Sequence, residues 1–348
     1  MPGLWCMMAG VGDFVIRMLA VVAALCLLPA APALAAPGDD GMEKLFTFKD
    51  ERITESSGLA VSPTHDDVYY THNDSSAAPV FYAVDGKGRT IATFHLRGAE
   101  ARDWEAMAAS KDPATGRGVL WFADIGDNLD GAWPDVSVYK VAEPRTLADA
   151  TLPAVRYRLR YADGARNAEG IMVHPKTGRL YVVSKEFAGS VYAAPKKLRT
   201  DRVNVLRRVA AAPIMATDAA YAPDGSSYVV RTYFSATLYK PNGEVLARVR
   251  MPELKQAESI AYTADGKALL TGSEGLHSPV YRVPLPTSAT PTPTPSETPS
   301  ATGADDEESA QAAPAGSPGG LTARDVLIWL AAAAIAISVI TFLARRTR

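Results

Sequence analysis

A fivefold repeat between residues 57 and 286 constrains the fold of this 348-residue chain more than any other feature. Each copy opens with a short apolar run, and the first residues of successive runs are 48, 64, 49 and 40 positions apart. These first residues are Ser57, Glu105, Glu169, Asp218 and Glu258. A turn rich in Gly, Asp or Pro and a second apolar run follow each opening, which is the pattern of a β-hairpin.

Two further segments of strand character complete most copies. The third segment carries one tyrosine in every copy: Tyr82, Tyr139, Tyr192, Tyr239 and Tyr281. We expect these rings to pack one sheet against the next rather than to serve a site. Fourth segments are predicted at residues 90–96, 154–161, 203–209 and 245–249. The fifth copy ends at Pro286 without one.

Four-stranded copies of this length, with no helical periodicity between them, predict an all-β fold of the β-propeller type. Five four-stranded blades is the expected count, although the long second copy could hide a divergent sixth blade. The strand missing from the fifth copy is available at residues 44–48, Lys-Leu-Phe-Thr-Phe. We therefore expect an N-terminal strand to close the ring.

Residues 1–36 are predicted to be a secretory signal peptide. Arg17 precedes an apolar run at residues 18–28, and small residues follow as far as Ala35. The chain that remains after cleavage is expected to be exported.

The other end of the chain predicts a membrane anchor at residues 324–344, where 18 successive residues carry no charge. A helix of that length extends about 27 Å, close to the ~30 Å hydrocarbon core of a bilayer. The arginines in residues 345–348 would stay in the cytoplasm under the positive-inside rule, with everything before the helix outside. Residues 287–320 are rich in Thr and Pro and then in acids, so we expect a disordered stalk. The propeller then occupies residues 37–286.

Composition excludes several kinds of site from the mature protein. Both cysteines, Cys6 and Cys26, fall in the signal segment, so disulfides, thiol catalysis and cysteine zinc sites are not expected. The formal net charge of −2 gives no reason to expect a nucleic-acid partner. The chain has five histidines, scattered along it, and this argues against a zinc or copper centre.

Acidic residues mark the places where the channel of such a propeller should open. First strands begin and second strands end at the same face, so two rings of side chains are expected to meet there. The first ring holds the five opening residues named above. The second ring includes His72, Asp74, Asp124, Asp127, Asn128, Lys185, Arg231 and Glu274. So many acids would repel one another, which raises their pKa values unless a cation neutralises them.

Calcium is the cation that these side chains suit best. Ca²⁺ takes six to eight oxygen ligands and accepts carboxylates mixed with asparagine side chains and backbone carbonyls. The predicted metal ligands are Asp103, Glu105, Asp124, Asp127, Asn128 and Glu169. The predicted contacts to a bound ligand or partner are His72, Asp74, Lys185, Arg231 and Glu258.

The same residues also allow a purely structural interpretation. Acids at the starts of first strands can cap backbone N–H groups of the next blade, and residues 124–128 are suited to a turn. Arg102, His72, Lys185 and Arg231 could pair with these acids instead of meeting an anionic ligand. The sequence leaves both interpretations open.

Three stretches carry a resemblance to a known group of proteins. They are Ser56-Ser57-Gly58-Leu59-Ala60, the segment Ala-Arg-Asp-Trp-Glu-Ala-Met-Ala at residues 101–108, and Gly126-Asp127-Asn128. Residues 45–286 resemble secreted bacterial propellers of the phytase-like and WD-repeat-like group, common in actinobacteria. The resemblance implies the propeller fold and, for the phytase branch, a Ca²⁺-lined channel with phosphomonoester hydrolysis. Basic residues that a highly phosphorylated substrate would need are sparse near the acids.

Two classes of function are compatible with these features. The first is a membrane-tethered extracellular head, monomeric, that binds a small molecule, a cell-envelope component or a protein without chemistry. The second is a hydrolase, metal-assisted on a phosphoester or acid–base on a glycoside, with Glu105 or Glu169 as general base. The mature chain has no G-x-S-x-G and no H-E-x-x-H motif to support the second class. We favour the first.

Overall fold

The computed structural model describes residues 41–74, 78–129 and 131–286. The predicted signal peptide, stalk, transmembrane helix and cytoplasmic tail lie outside these ranges. Within them, no helix has the length and hydrophobicity that a membrane span requires.

Every regular element in the described ranges is a β-strand. Short apolar runs are interrupted by Gly, Asp and Pro turns, so no stretch is long enough to bury a helical face. In chain order the strands are β1 (Glu43–Thr47), β2 (Ser56–Val61), β3 (Val68–Asn73), β4 (Val80–Asp85), β5 (Thr90–Arg97), β6 (Trp104–Lys111), β7 (Gly118–Asp124), β8 (Val136–Ala142), β9 (Ala150–Pro153), β10 (Val155–Tyr161), β11 (Ala168–Val173), β12 (Leu180–Ser184), β13 (Ser190–Ala193), β14 (Asn204–Ala211), β15 (Ala216–Tyr221), β16 (Tyr228–Thr232), β17 (Ser235–Tyr239), β18 (Val245–Arg250), β19 (Ile260–Tyr262), β20 (Ala268–Thr271) and β21 (Pro279–Pro284).

In the described residues the strands pair into successive four-stranded units, each built mainly from antiparallel neighbours. These units are β2–β5, then β6, β7, β8 and β10, then β11–β14, then β15–β18, and last β19–β21 with β1. A parallel pairing of β10 with β14 joins the second and third units into one eight-stranded sheet.

The first strands of the units form a closed ring. Strand β2 lies beside β6, β6 beside β11, β11 beside β15, β15 beside β19, and β19 beside β2. Buried apolar clusters combine residues from neighbouring units. This all-β arrangement is consistent with a propeller, as the repeat predicted.

Strand β1 lies where the missing fourth strand of the last unit was expected. It runs antiparallel to β21, with Lys44 opposite Tyr281. Phe46 and Phe48 are buried between the last and the first units. The N-terminal and C-terminal ends of the described chain thus share one sheet.

Strand β9 uses part of the extra length of the second copy. In the described residues this length adds no sixth unit, because β9 runs parallel to β5 as the outermost strand of the first sheet. The predicted strand at residues 154–161 is present as β10 in the second unit.

Candidate functional site

A β-bulge positions the side chain at the start of each of four first strands. In β6, for example, Trp104 and Ala106 pair with the second strand, and Glu105 between them is left unpaired. The bulged residues are Ser57 in β2, Glu105 in β6, Glu169 in β11 and Thr217 in β15. A bulge bends a strand locally and re-aims one side chain. Here it brings Glu105 and Glu169 within electrostatic range of each other.

Asp218 does not belong to this ring, contrary to the prediction. The register places Thr217 at the bulge and Asp218 one residue further along, opposite Arg231. Asp218 is fully buried, and its carboxylate accepts hydrogen bonds from the backbone N–H groups of Ala219 at 2.7 Å and Ile260 at 2.8 Å. Its role is therefore the capping of a neighbouring strand, the structural alternative that the sequence left open.

The loops after the second strands bring further charged residues to the same face. Asp74, Lys185, Tyr233 and Glu274 each follow the last paired position of a second strand, and Glu258 lies two residues before β19. These residues are close enough to act on one another electrostatically, because the charges of Lys185 and Asp74 shift the pKa values of both Glu169 and Glu258, and the charges of Glu258, Asp74 and Glu169 raise that of Glu274. We call this group the acid mouth, and its members are Asp74, Asp103, Glu105, Glu169, Lys185, Tyr233, Glu258 and Glu274.

Three carboxylates of the acid mouth form a close group that could hold a metal ion. One oxygen from each of Asp74, Asp103 and Glu105 lies within 4.8 Å of the other two. Gly126 packs against this group, since a Cβ added there would lie 2.1 Å from Glu105 Oε1 and 2.2 Å from Asp103 Oδ2. Asp103 and Glu105 were predicted as metal ligands, whereas Asp74 was predicted as a contact to a bound ligand.

The other side of the acid mouth holds an ion pair and a buried acid. Lys185 Nζ donates to Glu169 Oε1 at 2.8 Å and lies 5.1 Å from the ring centroid of Tyr233. Tyr233 hydrogen-bonds to Glu258, which is only 4% exposed. Glu258 Oε2 has no hydrogen-bond partner. Glu169 is therefore neutralised by a lysine, while part of Glu258 is not.

Burial and mutual repulsion make these acids hard to ionise. Burial raises the pKa of Glu105 far above its ordinary range, and the charges of Glu169, Asp74 and Asp103 raise it further. Burial also raises the pKa of Glu169, an effect that Lys185 opposes. Burial and the neighbouring acids raise the pKa of Glu274 to about 7. When no cation is bound, protons on these carboxyl groups must therefore neutralise the negative charge of the acid mouth.

These shifts predict how stability without a cation depends on pH. A carboxyl with a raised pKa keeps a proton in the folded state that the unfolded chain has released, so stability falls as pH rises. Glu105, which stays protonated in the folded state between pH 6.5 and 8.5, accounts for a loss of about 1.4 kcal/mol per pH unit, or about 3 kcal/mol in total. We expect urea denaturation in EDTA to show a loss of at least this size. Glu105→Gln should flatten the slope, and an equally steep slope in that variant would contradict the assignment.

Asp124, Asp127 and Asn128, which were predicted as metal ligands, each accept hydrogen bonds from other groups of the protein. Asp124 Oδ1 accepts from the backbone N–H of Asp103 at 2.8 Å. The carboxylate of Asp127 accepts from the two backbone N–H groups of residues 132–133, at 3.1 and 3.0 Å. The side-chain oxygen of Asn128 accepts from a neighbouring asparagine at 2.9 Å. These three residues are not part of the close group formed by Asp74, Asp103 and Glu105. Their hydrogen bonds instead hold the segment that contains Gly126 in place.

His72 and Arg231, predicted as ligand contacts, are both fully buried. The His72 ring packs edge-on against Trp104 at 5.3 Å, and burial lowers the pKa of His72 to about 4. Burial lowers the pKa of Arg231 to about 10, although the charges of Asp218 and Glu258 oppose the change. Among the described residues, none of the three guanidinium nitrogens of Arg231 has a hydrogen-bond partner. Both His72 and Arg231 therefore belong to the protein interior.

A cavity of about 460 Å³ occupies the other half of the channel. Its lining is mainly apolar, with Leu59, Met107, Met172 and Ile260, and Lys111 is among the lining residues further along β6. No residue of the acid mouth lines it. The channel therefore has an acidic end and an apolar end.

Comparison with known proteins identifies no family. No family model matches the chain, and no curated protein matches it. A gluconolactonase from Xanthomonas campestris aligns with 66% of this chain and 72% of its own length, at 18% identity and a TM-score of 0.44. U3-55K aligns with 70% of this chain and 98% of its own, at 10% identity and a TM-score of 0.38. Neither likeness is close enough to assign an activity, and the resemblance to phytase-like and WD-repeat-like propellers stays a prediction.

Proposed function

We propose that residues 41–286 form a five-bladed propeller, closed by β1, that holds a divalent cation and binds a ligand at its acidic face. The observation that carries the proposal is the approach of Asp74, Asp103 and Glu105 to within 4.8 Å of one another. A cation with oxygen ligands would offset the burial and the repulsion that together keep Glu105 protonated. Ca²⁺ fits best, because the donors are carboxylates and water can complete its coordination.

Direct binding measurements test this proposal. We expect the full-length chain to bind one Ca²⁺ in isothermal titration calorimetry, with release of about one proton throughout the neutral pH range, because Glu105 must ionise. EDTA should strip the ion, as elemental analysis before and after chelation would show. A chain that contains no calcium and gives no heat with Ca²⁺ would exclude the site.

Gly126→Ala is expected to weaken calcium binding about tenfold or more without removing a ligand. The added methyl group would occupy the space that Glu105 Oε1 and Asp103 Oδ2 use, and residues that support metal ligands commonly contribute 10- to 100-fold in affinity. Calorimetry on the variant measures the change, and a melting curve in EDTA checks that the variant folds. An affinity equal to that of the parent chain would show that the ion is held elsewhere.

We further propose that this head is displayed outside the cell on the stalk at residues 287–320 and anchored by residues 324–344. The signal-like N-terminus and the uncharged C-terminal run support this arrangement. A chain truncated after residue 320 should appear in the culture medium, whereas the full chain should fractionate with membranes. Retention of both forms in the cytoplasm would contradict it.

Metal-assisted hydrolysis of a phosphoester is a second candidate. Glu169 favours it, because a carboxylate whose pKa is raised and which contacts Lys185 can act as a general base near neutral pH. A panel of p-nitrophenyl phosphates and glycosides tests the candidate. Turnover that needs Ca²⁺ and disappears in Glu169→Gln would establish a hydrolase, and absence of turnover leaves a binding protein.

A further inference from the structure

Exposed apolar side chains surround the acid mouth. Nine large hydrophobic residues are exposed in the described ranges, and five of them lie in loops on the acidic face. These five are Leu129, Phe187, Ile214, Phe234 and Leu276. We call them the apolar rim.

The chain places members of the apolar rim directly beside members of the acid mouth. Phe187 lies two residues after Lys185, and Phe234 follows Tyr233 with 6.4 Å between the two ring centroids. Leu276 lies two residues after Glu274. The side chains of Phe187 and Phe234 are 85% and 90% exposed, so nothing in the described chain covers them.

The remaining exposed hydrophobics show no such grouping. Ile91, Val155, Val209 and Val245 lie on outer strands of four different units. In the described ranges, the turns at the opposite face carry none of the nine. Single exposed hydrophobics are common on any surface, but aromatic and aliphatic groups gathered on one face mark an interaction surface.

A second observation points to the chemistry of the partner. Glu258 is only 4% exposed, and its Oε2 has no hydrogen-bond partner among the described residues, although the charges of Lys185, Asp74 and Arg231 act on the side chain. Buried hydrogen-bond acceptors in proteins almost always have a donor, so a bound partner is expected to supply one to Glu258 Oε2. Outside the close group of Asp74, Asp103 and Glu105, the acid mouth has three carboxyl groups and one lysine, which already pairs with Glu169, so a cationic donor is the favoured choice.

We propose that this face binds a polypeptide segment that inserts a lysine or arginine side chain into the acid mouth. The ammonium or guanidinium group donates to Glu258 and Glu274, and neighbouring apolar residues of the segment pack on Phe187 and Phe234. Anionic lipids and phosphorylated ligands are disfavoured because the centre of the face is negative. The inference deepens the proposed binding role, but it does not depend on the cation, which uses Asp74, Asp103 and Glu105.

Selection from a phage library of random dodecapeptides tests the proposal. The immobilised full-length chain is panned once in EDTA and once in Ca²⁺. We expect the selected peptides to carry Lys or Arg within two positions of an aromatic or aliphatic residue. Selection of acidic peptides, or of none, would overturn the proposal, and because calorimetry tests the cation separately, the two failures can be told apart.

Fluorescence anisotropy with one selected peptide then locates its binding face. The double variant Phe187→Ser, Phe234→Ser should weaken binding about 30-fold or more, as loss of buried aromatic anchors does. Glu258→Gln should weaken it about tenfold, because the amide is isosteric but uncharged. Val155→Ser and Val245→Ser remove equally exposed apolar groups from the outer strands and should leave affinity within about twofold. Equal losses in these controls would contradict the assignment.

Cosedimentation with phosphatidylcholine vesicles tests whether the apolar rim binds a membrane instead of a peptide. The protein is truncated after residue 320 to remove the predicted anchor. If it cosediments with the vesicles through Phe187 and Phe234, and no peptide is selected, the face is a membrane-binding surface and the proposal is wrong. We expect the same chain to remain in the supernatant.

Discussion

Calcium is expected to raise the melting temperature of the full-length chain by about 5–10 °C, and Asp103→Asn to remove most of that rise. A ligand present at a hundredfold excess over its Kd stabilises the folded state by about 2.7 kcal/mol. For a domain of this size each kcal/mol shifts the melting temperature by about 2–4 °C. Asp103 supplies one of the three closely spaced carboxylate oxygens, so its loss should weaken the site strongly. Differential scanning calorimetry in EDTA and in Ca²⁺ measures both values.

Two further variants make this result specific. Asp66→Asn removes an exposed acid from the turn between β2 and β3, away from the acid mouth, and should respond to calcium like the parent chain. Glu105→Gln should raise the melting temperature in EDTA at pH 8.5, because the variant has no buried carboxyl group that must stay protonated. The same variant should lose the response to calcium. A normal calcium response in both Asp103→Asn and Glu105→Gln would show that the ion does not bind there.

Phe48→Ala is expected to cost about 3–5 kcal/mol of stability, the usual range for removal of a buried phenylalanine. Phe48 is fully buried where the last unit meets the first, in a cluster that includes Ile53, Leu59, Tyr82, Leu270 and Val280. Its backbone N–H also donates to the carbonyl of Ser278 at 3.1 Å. The substitution therefore weakens the contact that closes the ring. Urea denaturation with calcium present measures the loss.

Glu43→Ala is the matched control on β1, five residues before Phe48. Its side chain is 60% exposed and approaches Arg282 only to 3.9 Å, so a change below about 1 kcal/mol is expected. If Phe48→Ala destabilised the chain no more than Glu43→Ala, β1 would not be what closes the ring.

The strands were predictable because the repeat is expressed in short apolar runs with turn residues between them. Residues 44–48, for instance, were assigned to the last sheet only because the fifth copy lacked a fourth strand, and β1 occupies that place. Strand β9 was missed because it joins the first sheet from within the second copy, and a parallel edge pairing leaves no local pattern.

The sequence predicted the face of the site and seven of the eight acid-mouth residues, all except Tyr233, but not how these residues group. The bulges that expose Glu105 and Glu169 insert one residue into the register, and a shift of one residue decides between Thr217 and Asp218. The sequence gives no sign of such an insertion. The burial of His72 could not be predicted either, because it results from packing of the ring against Trp104, in the first strand of the next unit.

The apolar rim could not be found from the sequence at all. Phe187 and Phe234 look like ordinary core residues in the chain, and only their positions in loops beyond the ends of β12 and β16 show that they are exposed. The role of Gly126 could not be predicted from the sequence either, because it consists in leaving space for the carboxylates of Glu105 and Asp103.

An anomalous difference map from crystals of the full-length chain grown with calcium would show whether the ion binds at the three close carboxylates. We predict a single strong peak at about 2.3–2.6 Å from carboxylate oxygens of Asp74, Asp103 and Glu105. A map with no peak at these carboxylates, in crystals that contain calcium, would contradict it.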